Sequence, residues 1–143
     1  MKGRRRTLHG LSAAFLAVVL CACANDLHYN AKTGNVANLQ QLLERGEPIE
    51  KRDPLGNTAL IVAAFSNEPE TVAYLCRKGA DVNAQNNDRA TALISAAYYN
   101  LLDVARVLVK FDPDKTLKDK YGNTALDYAR QYKYAEMISL LEK

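Results

Sequence analysis

Apolar residues return along this chain with two periods at once. Positions 60, 63 and 64, and then 72, 75 and 76, have the i, i+3, i+4 spacing of two short amphipathic helices. The same pattern returns every 33 residues, so that three columns stay apolar over four rows. The columns are Leu27, Leu60, Leu93 and Leu126; Leu39, Val72, Ala105 and Ile138; and Leu42, Leu75, Leu108 and Leu141. Such a period predicts an all-α solenoid of about four stacked helix-turn-helix repeats with short hairpin loops.

Polar residues between the apolar positions also recur at fixed places in each row. The word GNTAL occurs twice, 66 residues apart, with RATAL midway between the two copies. The threonines of these words, Thr58, Thr91 and Thr124, are predicted to cap the N-terminus of the first helix of each row. Thr124 and Asp127 also have the spacing of a capping box.

Residues that accept left-handed backbone geometry fall between the helices. Gly34, Asn67 and Asn100 occupy the turn between the two helices of successive rows. Gly46 and Gly79 follow the second helix of their rows, where a C′ glycine is expected. The chain is therefore predicted to reverse direction twice in each row.

The second row carries a family resemblance. GNTALIVAAFSNEPETVAYLCRKGADVNAQNN resembles an ankyrin repeat, which is usually recognised as G-x-T-P-L-H-x-A-A, a V-V-x-L-L-L helix and then G-A-D-V-N-A. The resemblance covers about residues 25–143, and it implies polar capping repeats at both ends of the stack. It divides that part of the chain into an N-terminal capping repeat at 23–54, two full repeats at 55–87 and 88–120, and a C-terminal capping repeat at 121–143.

The chain departs from the family pattern at several turns. The family histidine is replaced at positions 61, 94 and 127, so its turn-bracing hydrogen bond is expected to be absent. Arg89 stands where a turn glycine is usual. Asp112 replaces the glycine after the second helix, and Pro113 predicts an extended backbone for it. The third hairpin is therefore expected to be irregular.

The N-terminus has the features of an export signal. A basic MKGRRR stretch precedes an apolar LSAAFLAVVL stretch that is too short to span a bilayer as a helix. LCAC then resembles a bacterial lipobox, which predicts cleavage after residues 1–22 and lipidation of Cys23. Two alternatives remain open: ordinary signal-peptide cleavage at Ala22-Cys23-Ala24, or an uncleaved anchor helix. From this segment we expect an exported bacterial lipoprotein that faces the periplasm. Because Ala24 is not a retention signal, we expect the tether to lie in the outer membrane.

Charge and composition exclude several function classes. The net charge is +3, but it falls to −1 without the four basic residues of the N-terminal segment, which leaves no electrostatic footprint for nucleic acid. With His9 and His28 as the only histidines, neither a zinc site nor a Ser-His-Asp triad is expected. DPDKTLKDKYGN lacks the glycine and glutamate of a calcium loop. We therefore expect a non-enzymatic chain with no cofactor and no metal.

Two residues are expected to be ordinary structural side chains. Cys76 lies on an apolar helix pattern and is predicted to be a buried thiol that forms no disulfide. His28 lies in the first capping row and is predicted to be solvated. Neither is expected to take part in chemistry.

The resemblance implies a protein partner, bound on the concave face that hairpin tips and first helices form in this family. The matching positions include Pro54, Ala90, Lys120, Lys32 and Thr33. The predicted protein-binding residues are Leu55, Asn57, Phe65, Ser66, Asn87, Asp88, Tyr98, Tyr99, Tyr121, Asn123, Gln131 and Tyr132.

Aromatic residues are concentrated at those positions. Phe65, Tyr98, Tyr99, Tyr121 and Tyr132 are five of the ten aromatic residues beyond the N-terminal segment. Tyrosine is enriched in binding hot spots. For the first two, packing between helices remains an equal alternative, whereas for the third and fifth we favour binding.

The remaining tyrosines are assigned to packing. Tyr74 is expected to pack in the core, and Tyr128 and Tyr134, in the last row, are expected to shield the end of the stack. The expected function is that of a monomeric protein-binding module. It would be either a scaffold or helper of an envelope or periplasmic protein, or an immunity-type inhibitor of a toxin delivered to the periplasm.

Overall fold

The computed structural model describes residues 26–143, and this part of the chain is helical without any strand. Its helices are α1 (Leu27–Lys32), α2 (Val36–Glu44), α3 (Ala59–Phe65), α4 (Pro69–Arg77), α5 (Ala92–Tyr98), α6 (Leu102–Leu108), α7 (Ala125–Gln131) and α8 (Ala135–Leu141), with a 3-10 turn at Val109–Phe111. The helices form four rows of two, which confirms the predicted helix-turn-helix solenoid.

The predicted caps are present. The Thr58 and Thr91 side chains accept hydrogen bonds from the backbone N–H three residues later, at 3.4 and 3.1 Å. Thr124 and Asp127 exchange the two bonds of a capping box. Each first helix after row one therefore begins at the same point of the period, because the same side chain satisfies its free N–H groups.

The turns between paired helices are left-handed, as predicted. Gly34, Asn67 and Asn100 have φ of 70°, 60° and 54°. In row four the same position is Lys133, with φ of 59°. Lysine has no intrinsic preference for this conformation. The turn of row four nevertheless closes with the same type of backbone bond as the others, from Tyr134 N–H to the Ala129 carbonyl at 2.9 Å.

The second helices also end in a left-handed residue. Gly46 and Gly79 have φ of 91° and 89°, as expected for C′ glycines. The expectation for Asp112 was wrong: it is left-handed (φ 51°, ψ 58°), not extended. A proline at the next position disfavours a continued right-handed helix, and a left-handed residue also stops the helix. Aspartate tolerates that region better than most residues.

The third hairpin is more regular than predicted. Leu117 N–H donates to the Asp114 carbonyl at 3.4 Å, and Ala84 N–H donates to the Asp81 carbonyl at 3.1 Å in the row before. The departure is confined to the 3-10 turn at Val109–Phe111 that extends α6. The hairpin that follows keeps its place in the stack.

The core lies between the first and second helices of each row. α1, α3, α5 and α7 pack side by side in one layer, and α2, α4, α6 and α8 pack in a second. The predicted apolar columns fill the space between the layers, with Leu60, Leu75 and Leu108 buried. Each fully buried leucine contributes about 1.5–3 kcal/mol relative to an exposed one.

Two sequence predictions about single core residues are confirmed. Cys76 is buried, and its thiol is free within residues 26–143. Burial raises the pKa of this thiol to about 11, which keeps it protonated at neutral pH. Tyr74 is buried in the core, although its phenol oxygen has no hydrogen-bond partner among the residues that the structure describes.

Within residues 26–143, no helix combines the length and the apolar character that crossing a membrane requires. The predicted signal segment, 1–22, and the predicted lipidation residue, Cys23, lie outside the described residues.

Candidate protein-binding site

Three hairpin tips project from the stack, and one side-chain device builds each of them. We call residues 52–57, 85–90 and 118–123 fingers 1, 2 and 3. In each finger, one side-chain oxygen accepts hydrogen bonds from the backbone N–H groups two and four residues later, at 2.8–3.0 Å. The residues that do this are Asp53, Asn86 and Asp119, spaced 33 apart.

Main-chain bonds join neighbouring fingers. Asn87 N–H donates to the Leu55 carbonyl at 3.0 Å, and Lys120 N–H donates to the Asp88 carbonyl at 2.9 Å. Arg52 Nη1 reaches the carbonyl of Gln85 at 2.7 Å. Because each finger is held by the next, the surface they carry is set before any partner arrives.

The first finger has a further brace that the sequence reading missed. His28 is half-buried, and its Nε2 lies 3.0 Å from the carbonyl oxygens of Lys51 and of Asn57. The prediction of a solvated histidine was therefore wrong. His28 stands 33 residues before Ile61, in the column of the family histidine, so row one keeps the bond whose absence was expected throughout.

A groove of about 370 Å³ lies between the fingers and the first helices. Its walls combine aromatic rings, apolar side chains and two carboxylates. The lining residues are Leu55, Asn57, Phe65, Asn86, Asp88, Ala90, Ile94, Ser95, Tyr98, Tyr99, Asp119, Tyr121 and Tyr128. We call this feature the tyrosine groove.

Tyrosine rings at one end of the groove pack against each other. Tyr98 lies at the centre, with edge-to-face contacts to Tyr99, Tyr128 and Tyr132 at centroid distances of 4.9, 5.2 and 5.6 Å. Tyr134 stacks on Tyr132 at 5.6 Å. Each such pair contributes about 0.5–1.5 kcal/mol beyond its buried area, so the rings hold one another in place.

Tyr128 joins this cluster to finger 3. Its hydroxyl donates a short hydrogen bond to the Asp119 carboxylate, which is only 5% exposed. Burial, followed by that bond, raises the pKa of Tyr128, so the phenol keeps its proton and remains a donor. Tyr128 was predicted to shield the end of the stack, but it faces row three and lines the groove.

The phenol of Tyr132 is affected by the same cluster. Its hydrogen bond with Tyr98, and then burial, raise the pKa of Tyr132. The hydroxyl of Tyr132 therefore stays neutral across the physiological pH range.

A cation already sits at the rim of the groove. Lys120 Nζ lies 2.8 Å from Asp88 Oδ1 and 5.0 Å from the ring centroid of Tyr121. Its pair with Asp88 raises the pKa of Lys120. The rim thus combines a carboxylate and an aromatic face within reach of one positive charge.

The structure brings seven of the twelve predicted binding residues to the groove. These are Leu55, Asn57, Phe65, Asp88, Tyr98, Tyr99 and Tyr121. Asn57 is only 4% exposed and bonds to the side chains of Asp53 and Asn86, both at 2.9 Å. It therefore forms part of the floor and not of the exposed wall.

The other five predicted residues lie beside the groove. Ser66, Gln131 and Tyr132 are at the C-terminal ends of first helices, and Asn87 donates to the Pro54 carbonyl at 3.2 Å. Asn123 is half-buried in finger 3. They surround the groove without lining it.

The sequence analysis did not assign Asp119, Tyr128 and Ile94 to the site, although all three line the groove. Asp119 could have been found, since it shares a column with Asp53 and Asn86. Tyr128 and Ile94 gave no such signal, because buried helix positions look alike whether they face a core or a groove.

Among residues 26–143, no group of three histidine, cysteine, aspartate or glutamate side chains is placed to hold a metal ion. What the groove offers is ring faces, apolar walls and carboxylates on a rigid frame. This chemistry suits the binding of another molecule's side chains.

Comparison with known families agrees with the stacked rows. A family model described as ankyrin repeats in many copies matches residues 74–129, and another, described as ankyrin repeats in three copies, matches residues 16–86. The chain belongs to the ankyrin-repeat family. Ankyrin repeats typically serve as non-catalytic protein-interaction modules, which fits the surface that the fingers and first helices form.

Known proteins with ankyrin-like similarity to this chain come from diverse sources. The chain is 33% identical over 126 residues to alpha-latrotoxin-Lg1a of Latrodectus geometricus, a match that covers 84% of this chain and 9% of the toxin. It is 35% identical over 113 residues to a B-cell lymphoma 3 protein homolog of Mus musculus, covering 78% of this chain and 25% of that protein. It is 37% identical over 94 residues to the E3 ubiquitin-protein ligase Ufd4 of Drosophila melanogaster, covering 65% and 3%. The chain thus spans at most a quarter of these relatives, and the similarity concerns the repeats.

Proposed function

We propose that this chain is a non-enzymatic module that binds a protein partner through the tyrosine groove and the residues around it, on the concave face of the stack. The observation that carries the proposal is the exposure of large apolar side chains at that place. Tyr121, Leu55 and Tyr99 are 72%, 68% and 60% exposed, and all three line the groove. Contiguous exposed apolar groups usually mark an interaction site.

The rigidity of the site supports the same function. The fingers are tied to each other by main-chain bonds, and the central tyrosine is held by three ring contacts. A partner therefore meets a surface that loses little conformational entropy on binding. Truncation of a hot-spot tyrosine typically weakens binding by about 2 kcal/mol or more, which is roughly thirtyfold.

We further propose that the module works in a bacterial periplasm as a helper or scaffold for an envelope or periplasmic protein. The support is the pattern of the N-terminal segment, with its basic start, its apolar stretch and Cys23 in a lipobox-like setting. In this proposal a lipid on Cys23 tethers the domain to the outer membrane, and the domain acts as a monomer.

Affinity capture tests the binding proposal. The full chain, tagged at its C-terminus and purified in mild detergent, is immobilised beside a Tyr99→Ala/Tyr132→Ala variant and exposed to an envelope extract. We expect the parent to retain a protein that the variant loses. Tyr29→Ala is the matched control, because Tyr29 is an exposed tyrosine on α1 outside the groove.

Circular dichroism first establishes that all variants are equally helical. Equal retention by the parent and the double variant would show that the groove is not the binding surface. If the parent retains nothing from the extract, the partner is foreign to that cell, and the immunity-type inhibitor of an incoming toxin becomes the better interpretation. An enzyme acting on the retained protein would instead change it chemically during incubation, which mass spectrometry would detect.

A further inference from the structure

The walls of the tyrosine groove favour a positively charged occupant. Asp88 and Asp119 contribute carboxylates to the lining, and no lysine or arginine of residues 26–143 lines the groove. Most of the remaining wall is aromatic or aliphatic, and the aromatic rings present negative faces to a cation. This inference rests on the proposed function, because it concerns the chemistry of the same site.

Within residues 26–143, the buried carboxylate of Asp119 accepts hydrogen bonds from neutral donors only. It accepts from the N–H groups of Tyr121 and Asn123, at 2.9 and 3.0 Å, and from the Tyr128 hydroxyl. No ion pair to it forms within the described part of the chain. A negative charge in so poorly solvated a place attracts a cation in the groove more strongly than an exposed one does.

The rim of the groove already binds a cation of this chain. Asp88 and the ring of Tyr121 together hold the ammonium group of Lys120. That pair is exposed and therefore weak, so a better-fitting cation from a partner can replace it. Lys120 then acts as an internal competitor for the site.

Among protein cations, arginine fits this lining best. Its planar guanidinium can stack on a tyrosine ring and still donate hydrogen bonds in its own plane to a carboxylate. Tyr98, Tyr99, Tyr121 and Asp88 all line one groove. We propose that the tyrosine groove receives an arginine side chain of the protein partner, stacked on these rings and paired with Asp88.

A pair of short peptides tests this proposal directly. The probes are acetyl-Gly-Arg-Gly-amide and the same peptide with citrulline, which keeps the shape of arginine and removes its charge. Each is titrated into the full chain in mild detergent, and the ring signals of the tyrosines are followed by NMR. We expect saturable shifts of Tyr98, Tyr99 and Tyr121 with the arginine peptide, and affinity roughly tenfold lower with citrulline, since cation–π and charge-assisted contacts are lost.

Substitutions separate the proposed contacts. Asp88→Asn is expected to weaken binding of the arginine peptide and to leave binding of the citrulline peptide almost unchanged. Asp103→Asn serves as the charge control, because Asp103 is an exposed residue of α6. Tyr121→Ala is expected to weaken binding of the arginine peptide, whereas Tyr29→Ala is expected to leave it unchanged. Lys120→Gln is expected to strengthen binding of the arginine peptide, because it removes the internal competitor.

Three results would overturn the arginine assignment. They are equal affinity for the two peptides, no saturable shift of the groove tyrosines up to tens of millimolar, and weaker binding by the Lys120→Gln variant. Failure of the binding function looks different. If the captured partner is lost with the Tyr99→Ala/Tyr132→Ala variant but binds Asp88→Asn normally, protein binding stands and the arginine assignment falls. If the arginine peptide binds as expected while the captured protein binds the double variant as well as it binds the parent, the groove chemistry stands and the partner surface lies elsewhere.

Discussion

A single column of the repeat shows which residue types one position of this fold accepts. Asp53, Asn86 and Asp119 make the same finger turn, although one is an amide and two are carboxylates. What the turn requires is an oxygen that accepts two backbone N–H groups. The charge is therefore free to serve another purpose at each position, and in finger 3 it lies beneath the groove.

The finger-1 carboxylate is predicted to make stability depend on pH. Burial raises the pKa of Asp53, but hydrogen bonds from the Asn57 side chain, Asn57 N–H and Leu55 N–H outweigh it, so the net pKa lies below the ordinary 3.8. A lowered pKa means that the ionised form stabilises the fold above the unfolded pKa. That contribution is lost as pH falls through the folded pKa.

Asp53→Asn is therefore expected to cost roughly 1 kcal/mol at pH 7, because one hydrogen bond to Asn57 is lost. It is also expected to reduce the loss of stability on acidification. Urea unfolding at neutral pH and near pH 3 measures both quantities. The exposed Asp103→Asn is the control, and an unchanged pH dependence in Asp53→Asn would show that this carboxylate is not involved.

At the scale of elements, neighbouring fingers depend on close approach of their backbones. Gly56 and Gly122 both have positive φ, at 77° and 82°. A Cβ on Gly56 would lie 2.8 Å from the backbone nitrogen of Asn87, whereas a Cβ on Gly122 would meet nothing within 4 Å. The difference arises because finger 1 is covered by finger 2, and finger 3 is the last of the described stack.

Gly56→Ala is accordingly expected to destabilise the protein clearly more than Gly122→Ala. In both variants, an alanine in left-handed geometry destabilises the fold by about 1–2 kcal/mol. Only in Gly56→Ala must the new Cβ also displace the backbone of finger 2. Thermal unfolding of the two variants gives the comparison. Similar losses of stability would mean that the fingers separate easily and do not form a rigid surface.

At the scale of the whole molecule, the proposed tether decides where the groove operates. Cys23 and Cys21 lie two residues apart, but only Cys23 is preceded by a small residue in a lipobox-like setting. Cys23→Ser is expected to abolish both lipid attachment and membrane retention of the expressed chain, and Cys21→Ser is expected to preserve them. Mass spectrometry of the N-terminal peptide and membrane fractionation measure the two effects.

Retention of both variants in the membrane would contradict the lipid tether and favour an uncleaved anchor helix. Release of all forms, including the parent, would favour ordinary cleavage into a soluble periplasmic form. Recovery of every form from the cytoplasm, with the N-terminal segment intact, would contradict export itself.

The sequence by itself determined the rows of the fold. The 33-residue period is readable because the same residue types recur along the sequence itself. The threonine caps and the left-handed Asn67 and Asn100 are readable because each depends on residues only a few positions apart. Helix capping and turn formation are short-range effects, so a repeated word predicts a repeated element. The family resemblance placed Tyr99, Tyr121 and Tyr132 at surface positions, and their side chains are exposed.

Only the tertiary structure decided how those rows act on one another. It placed Tyr128 against Asp119, His28 against finger 1 and Asn57 in the floor of the groove. It also gave Asp112 the left-handed backbone that a local rule about proline did not predict. The three side-chain placements depend on contacts between rows, across 9 to 29 residues for the bonds named here, and on packing that holds each side chain against its neighbour. The surface that meets a partner arises from that packing, because a groove exists only once two rows stand side by side.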